Sequence, residues 1–366
     1  MNRIVFLYLK KPVLKNNKGV AILVVLAIMT VLITAGLELN RNARSALFAS
    51  AAKRDKEVLS GMVLSGINIA CAILAKDKTN SDLDSLQEDW ADPEKTEQVV
   101  KEVIPFKEGE LKVVISDELG KIQVNAIVSF PEGRDFNNEQ LFMWERFLEN
   151  FVSKNEIYGK VEPASIINSL KDWIDSGDDD AITGLTGAES DYYQSLESPY
   201  TCGNRPVHHL AELLFIKNIK PELFYGTKEF PGMSSYLTVF GVSDTGGNTF
   251  SYNGKININT ASLPVLAAIL PEESKDLAEA VYEYRMETAD GVYINNLSEV
   301  TWYKQVPGCG DLDIDEDIIK IASDIFRIEA HAKLHGAARL ITAVVKREKD
   351  VETGKWKCYV LQQYLN

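Results

Sequence analysis

Acidic side chains crowd one short stretch in the middle of the chain. A helical pattern over residues 163–174 ends at Asp175-Ser176-Gly177, and further acids follow closely. Carboxylates this close together raise one another's pKa unless something neutralises them. A calcium ion would do so, because it accepts about six to eight oxygen ligands in irregular geometry. The candidate calcium ligands are Asp175, Asp178, Asp180, Glu189 and Asp191.

Two other interpretations of this acidic stretch stay open. The spacing lacks the D-x-[DN]-x-[DN]-G pattern of an EF-hand, and an acidic loop can simply be solvated. Paired acids can also hydrolyse glycosidic bonds, but no sugar-binding pattern accompanies them. The sequence also lacks a G-x-S-x-G motif, a P-loop and a Cys–His pair at a meaningful spacing. It therefore predicts no enzyme.

A second motif runs from Gly254 to Leu266 and indicates a short strand followed by a helix. Thr260 or Ser262 can cap that helix, and Pro264 lies within its first turn. Some DNA-binding modules have a similar strand-to-helix arrangement. The net charge of −14 argues against a nucleic-acid partner, because phosphate binding needs a basic surface.

The N-terminus has the charge pattern of a membrane anchor. Five basic residues and no acids precede an apolar run from Val20 to Leu37, and the first acid is Glu38. The run would be about 27 Å long as a helix, close to the hydrocarbon core of about 30 Å. The positive-inside rule keeps the basic end cytoplasmic. An ordinary cleaved signal is the alternative, but its best cut site, Ala35-Gly36, is poor.

The remaining elements predict an α+β fold with a large insertion. Residues 20–75 are expected to form one helix, residues 76–97 a loop, and residues 110–116 a β-hairpin with residues 121–126. Helical patterns then dominate, at residues 138–153, 163–174, 207–218 and 262–287, and β patterns return at 326–334, 337–346 and 355–363. The expected parts are a leader (1–19), an N-terminal helix (20–75, transmembrane over 20–37), the first part of an α/β domain (76–135), an inserted α-helical domain (136–325) and C-terminal strands (326–366).

Four widely spaced cysteines are poor zinc or redox signatures but suit one or two disulfides in an exported chain. Their connectivity is not readable from the sequence. We favour Cys202 with Cys309, because both lie in the helical block, over Cys71 with Cys358.

Lys18-Gly19 directly before the apolar run resembles a type IV prepilin signal. Further short motifs follow in a definite order: Asp172-Trp173-Ile174-Asp175, Gly187-Ala188-Glu189, Tyr192-Tyr193, Ser198-Pro199-Tyr200, Asn204-Arg205-Pro206, Glu212-Leu213 and Ile256-Asn257-Ile258-Asn259-Thr260-Ala261. This ordered set makes the chain similar to the K minor pseudopilins of the type II (general) secretion pathway. The resemblance covers nearly the whole chain.

The resemblance implies a pilin-like fold, with a long N-terminal helix on an antiparallel sheet and a calcium-binding α-helical domain inserted in that sheet. It implies cleavage by the prepilin peptidase between Gly19 and Val20, with methylation of the new N-terminus. The implied place is the pseudopilus tip in a Gram-negative cell, with the helix in the inner membrane and the body in the periplasm. The implied partners are the minor pseudopilins I, J and H, the outer-membrane secretin and exported substrates.

Two positions test the resemblance. Most pseudopilins carry Glu five residues into the mature chain, and the K component lacks it, as this chain does with Val24. In the acidic loop, Gly177 stands where the family pattern has an Asp, and Asp178 follows it. A minor pilin of a type IV pilus and an anchored periplasmic binding protein or enzyme are the alternative functions.

Overall fold

The N-terminal helix α1 spans Asn17–Asn80, so it begins before Val20 and ends after Ala75, the limits expected from the sequence. The computed structural model describes residues 17–106, 108–153, 161–177, 181–246 and 249–365. It divides into two compact units, Met1–Leu59 and Ser60–Asn366, and each is described by itself.

The first unit contains the apolar part of α1. Its side chains from Val20 to Leu37 are exposed, and mean hydropathy over an 18-residue window reaches 2.8. The hydroxyls of Thr30 and Thr34 donate to carbonyls one turn back, at 3.0 Å to Leu26 and 2.8 Å to Thr30. Because these polar groups are satisfied inside the helix, they do not oppose burial in lipid. This apolar helix fits a single-pass membrane anchor.

The second unit combines the end of α1 with strands and further helices. The helices are α2 (Pro93–Val103), α3 (Asn138–Ser153), α4 (Pro163–Ile174), α5 (Ser190–Gln194), α6 (Pro221–Tyr225), α7 (Leu263–Ile269) and α8 (Ala278–Met286). The strands are β1 (Glu110–Asp117), β2 (Ile122–Gln123), β3 (Leu237–Thr238), β4 (Val242–Gly246), β5 (Thr249–Tyr252), β6 (Ile256–Asn257), β7 (Thr288–Ala289), β8 (Val292–Tyr293), β9 (Ile319–Lys320), β10 (Ile325–Leu334), β11 (Ala337–Lys349) and β12 (Trp356–Leu365). Short 3-10 helices lie at Asp89–Ala91, Val124–Ile127, Leu210–Phe215, Met233–Tyr236, Glu272–Leu277 and Trp302–Gln305.

The main sheet has four antiparallel strands in the order β1-β10-β11-β12. β1 pairs with β10 from Glu110 opposite Lys333 to Asp117 opposite Phe326. These two neighbours are separated in sequence by residues 118–324, which form the inserted block. The predicted α+β fold, with a helical block inserted in an antiparallel sheet, is confirmed. The bounds predicted for the individual parts stay a prediction.

The predicted hairpin of residues 110–116 with residues 121–126 is wrong. β1 pairs with β10 instead, while β2 pairs in parallel with β3, and Val124–Ile127 is a 3-10 helix. The apolar alternation is real, but Ile122 and Val124 are fully buried in the core of the inserted block rather than in the sheet. Residues 117–120, the expected hairpin turn, are instead the point where the chain passes from strand β1 into the inserted block. There the backbone N–H of Leu119 donates to Asp117 Oδ1 at 2.8 Å.

Several other elements differ from expectation. The sequence predicts a loop at residues 76–97, but α1 continues to Asn80 and α2 begins at Pro93. Asp92 caps it by accepting from the backbone N–H of Glu94 at 2.9 Å. The expected helix at 207–218 is a 3-10 helix, and that at 262–287 is broken by Pro271 into α7, a 3-10 turn and α8. Helices α3 and α4 occur where they were predicted.

Within the second unit, α1 packs directly on the sheet. Its buried residues Val63, Ile67, Ala70 and Leu74 recur at helical spacing and form one face. A Cβ added to Gly66 would lie 2.9 Å from the Val113 side chain. Gly66 therefore permits close approach of helix and strand, rather than being only a weak point of the helix.

Candidate functional site

Three buried carboxylates meet where α4 ends. Each of Asp172, Asp175 and Glu189 offers an oxygen, and these oxygens all lie within 4.8 Å of one another. Asp172 and Asp175 are one turn apart at the end of α4, so they project from the same side. Glu189 immediately precedes α5. The helix end and the following loop thus bring together acids that are separated in sequence.

Asp172 holds the loop that completes this cluster. The backbone N–H groups of Thr183 and Ala188 donate to its carboxylate at 3.1 and 2.7 Å. A Cβ added to Gly187 would lie 2.1 Å from Asp172 Oδ2 and 2.8 Å from the Thr183 carbonyl oxygen. Gly187 is therefore required for this close approach, which explains its place in the Gly187-Ala188-Glu189 motif.

The electrostatics of the cluster favour a cation. Burial raises the pKa of Asp175, and the Lys171 ammonium, 2.6 Å from Asp175 Oδ2, opposes that rise. Asp172 and Glu189 bring two further buried carboxylates to the same place. Oxygen donors at this separation match the ligand chemistry of calcium. The residues present therefore fit such an ion: Asp175 and Glu189 would be its ligands, while the hydrogen bonds of Asp172 order the loop.

The structure brings together only part of the predicted ligand set. Asp175 and Glu189 belong to the cluster. Asp191 lies exposed in the first turn of α5 and is not in this group of described carboxylates. Asp178 and Asp180 lie outside the described residues. The ligand list omitted Asp172, although it stands in the same motif, one helical turn before Asp175.

The other predicted site residues are also placed. Gly19 and Val20 both lie within α1, and nothing lies within 4 Å of a Cβ added to Gly19. Among the cysteines, the Cys202 thiol donates to the Asp172 carbonyl oxygen at 3.3 Å, and Cys309 is buried. Cleavage at Gly19 and the cysteine pairing stay predictions.

A second carboxylate cluster, Asp77, Asp84 and Glu88, is built differently because Arg347 fills it. The buried Arg347 guanidinium donates to Asp77 Oδ2 at 3.1 Å and to Asp84 Oδ1 at 2.5 Å. Burial raises the pKa of Asp77 to about 7 and that of Asp84 to about 6, so desolvation outweighs the attraction of Arg347. This cluster is an ion-pair network that joins α1 to β11.

The Ile256-Asn257-Ile258-Asn259 motif forms the joint between the sheet and the inserted block. Asn257 Nδ2 donates to Asp117 Oδ2 at 2.8 Å and to the Asp84 carbonyl oxygen at 2.9 Å. Thr260 and Ser323 donate their hydroxyls to the same Asp117 oxygen, each at 2.6 Å. The motif thus connects the end of β1 to the block. This structural role accounts for the motif without DNA binding.

Glu118 is the centre of a second joint beside it. This buried carboxylate accepts two hydrogen bonds from Arg327 of β10, each of 2.9 Å, and one from Lys121 at 2.9 Å. Thr238 of β3 donates to it at 3.0 Å. A bidentate Arg–carboxylate pair has a fixed geometry. The block is therefore held to the sheet by two polar networks with defined geometry.

Comparison with known proteins gives three findings. Residues 120–229 match the family model described as "Type II secretion system (T2SS), protein K". Type II secretion system protein K of Pseudomonas aeruginosa is 27% identical over 281 residues, covering 73% of each chain.

The third finding is structural. The fold is similar to a chain of the GspK-GspI-GspJ complex from the enterotoxigenic Escherichia coli type 2 secretion system. The TM-score is 0.56 at 14% identity, covering 87% of this chain and 99% of that one. At this identity the likeness shows the fold alone. Family domain, relative and fold agree, and together they confirm that the chain resembles protein K of type II secretion systems.

Proposed function

We propose that the chain is a minor pseudopilin at the tip of a type II secretion pseudopilus. There it initiates or caps assembly for the export of folded proteins across the outer membrane. The observation that carries this proposal is the architecture of the second unit: the end of α1 packs on a four-stranded sheet that is interrupted between β1 and β10 by a large block. A bulky block that is joined to the sheet by two buried hydrogen-bond networks suits a terminal subunit.

The N-terminus supports the same role. Lys18-Gly19 precedes the apolar part of α1, so cleavage by the prepilin peptidase would leave that helix in the product, beginning at Val20. We place the helix in the inner membrane, with its basic end cytoplasmic and the body in the periplasm. A Glu at position 24 would need a neighbouring charge in lipid. Val24 needs none, which suits a subunit with no other subunit ahead of it.

The proposed partners are the minor pseudopilins I, J and H. The structurally similar chain comes from a GspK-GspI-GspJ complex. The secretin and exported substrates are further proposed contacts at the outer membrane. In this role the chain performs no chemistry of its own.

Processing provides the first test. We expect Gly19→Leu to block cleavage and leave the full-length chain in the membrane. Gly36→Leu is the matched control, since nothing lies within 4 Å of a Cβ added at either glycine. N-terminal sequencing should then find a methylated chain that starts at Val20 in the wild type and in the control. A wild-type chain that keeps Met1 would support an anchored periplasmic protein instead.

Partner capture provides the second test. The full-length chain, extracted in detergent, should co-purify with the I and J minor pseudopilins, and its deletion should stop secretion. Co-purification with type IV pilus subunits, with secretion intact, would instead make it a minor pilin.

We also propose that calcium is a structural ion held by Asp175 and Glu189. Calorimetry of the full-length chain should show calcium binding that Glu189→Ala weakens at least tenfold, since it removes a ligand. The exposed Asp191→Ala is the matched acidic control. If the wild type produces neither binding heat nor a thermal shift with calcium, the solvated-loop interpretation stands.

A further inference from the structure

Cys71 on α1 and Cys358 on β12 face each other across the helix–sheet contact. The Cys358 thiol donates a hydrogen bond to the Cys71 carbonyl oxygen at 3.7 Å. Both residues are half-buried. They are separated by most of the second unit in sequence, so only the tertiary fold brings them together.

The neighbouring Arg347 fixes this approach independently of the thiols. Arg347 is the cross-strand partner of Cys358, and its guanidinium donates to the Leu74 carbonyl oxygen at 3.1 Å. Cys71 and Leu74 are one turn apart on α1, so the two adjacent side chains of the sheet reach successive turns of one helix. The ion pairs of Arg347 with Asp77 and Asp84 hold this register.

We propose that Cys71 and Cys358 form a disulfide that fastens the edge strand β12 to α1, while Cys202 and Cys309 remain thiols. Among the described strands, β12 lies at the edge of the sheet beside β11, and Val360 and Leu361 on it are exposed. An edge strand bound on one side is the part of a sheet most ready to open or to pair with another chain. A covalent link to the helix removes that freedom.

The chemistry is thiol–disulfide exchange with an external disulfide. The Cys71 sulfur, as thiolate, attacks one sulfur of that disulfide, and the other sulfur leaves as a thiolate. Cys358 then loses its proton and attacks the Cys71 sulfur, which releases the second external thiol. The chain loses two electrons and two protons, and the external disulfide is reduced to two thiols. The hydrogen bond from Cys358 lowers the pKa of Cys71, which makes Cys71 the first nucleophile.

The closed loop spans residues 71–358. A cross-link that closes so long a loop removes much conformational freedom from the unfolded chain. The oxidised chain should therefore melt about 5–10 °C higher than the reduced chain. The link would also keep β12 in place while the subunit is moved out of the membrane.

Peptide mapping after alkylation of free thiols tests the pairing. The full-length chain, purified in detergent and treated with oxidised glutathione, should yield one linked peptide pair containing Cys71 and Cys358. Cys202 and Cys309 should be alkylated after unfolding. Cys358→Ser should abolish the link and the melting difference, whereas Cys309→Ser should leave both unchanged. Alkylation of both Cys71 and Cys358 in the oxidised chain, or a Cys202–Cys309 peptide, would overturn the proposal.

The same mapping on protein taken directly from cells separates this inference from the proposed export. A link that forms with glutathione but is missing in the cell places the body in a reducing compartment and counts against export. Failure of the link under both conditions counts against the pairing itself.

Discussion

Arg347→Leu should destabilise the second unit, and the loss should depend on pH. Arg347 is 1% exposed and donates to Asp77, to Asp84 and to the carbonyl oxygens of Leu74 and Ser323. With leucine at position 347, the buried Asp84 carboxylate keeps two partners among the described residues: the backbone N–H of Ser323 at 2.9 Å and the Lys78 ammonium at 3.8 Å. Removing one partner of a buried ion pair costs about 3–5 kcal/mol, which corresponds to a melting temperature lower by roughly 10 °C.

The sign of the pH dependence follows from the raised pKa values. Asp84 and Asp77 have a pKa of 3.8 in the unfolded chain and of about 6 and about 7 in the folded protein. Between these values the folded state binds more protons than the unfolded state, so this cluster makes stability fall as pH rises from about 4 to about 7. Without Arg347 the carboxyl pKa values rise further. The variant should therefore lose more stability at about pH 8 than at about pH 5.

Thermal melts of the full-length chain in detergent at both pH values provide the measurement. Lys346→Leu is the matched control on the same strand, because its pair with Glu348 is exposed and worth less than about 1 kcal/mol. Adding Asp84→Leu to the Arg347→Leu variant should recover part of the loss, since no buried charge is then left alone. An equal loss at both pH values, or a loss no larger than that of the control, would refute the reasoning.

Three further predictions concern the site and the joint. Gly187→Ala should lower the free energy of unfolding by about 1–3 kcal/mol and weaken calcium binding, because the new Cβ meets Asp172 Oδ2 at 2.1 Å. Gly61→Ala has open space and should not destabilise, and thermal melts with and without calcium would show both effects. Asn257→Leu should leave Asp84 and Asp117 each one donor short and cost about 1–3 kcal/mol. Limited proteolysis should then cut near the joint, and unchanged digestion would count against its role. Burial raises the pKa of Glu118, but Lys121 and Arg327 outweigh it and bring the net pKa below the usual 4.5. This carboxylate therefore stabilises the fold above about pH 4.5, and that contribution is lost as pH falls below it. Glu118→Gln should flatten stability in that acid range, and an unaltered pH profile would contradict the assignment.

Local patterns in the sequence predicted the elements whose residues contact their neighbours at short range. The apolar run at Val20–Leu37 predicts a helix with apolar side chains on all sides. The periodicities of α3 and α4 predict helices with one apolar face that is buried away from water. The three C-terminal strands form a meander, so their pairing is also local. The sequence motifs around Asp175 and Glu189 likewise marked the site, because acids at the end of a helix and in the next loop need a common partner.

The errors arose where pairing is not local. Residues 121–126 alternate like a strand, but Ile122 and Val124 gain more by burial in the block than by pairing with β1. Asp172 was omitted as a site residue because its role depends on backbone N–H groups eleven and sixteen residues further along the chain.

The sequence by itself thus determined the apolar N-terminal helix, helices α3 and α4, the C-terminal strands and the family resemblance, since all of these depend on residue type and short spacing. The tertiary structure alone decided that β1 pairs with β10, that Asn257 and Glu118 join the block to the sheet, and that the Cys358 thiol lies against the Cys71 backbone. These contacts join residues far apart in the chain. Their stability comes from desolvated polar groups that find partners only in the folded protein, and no local pattern encodes which partners those are.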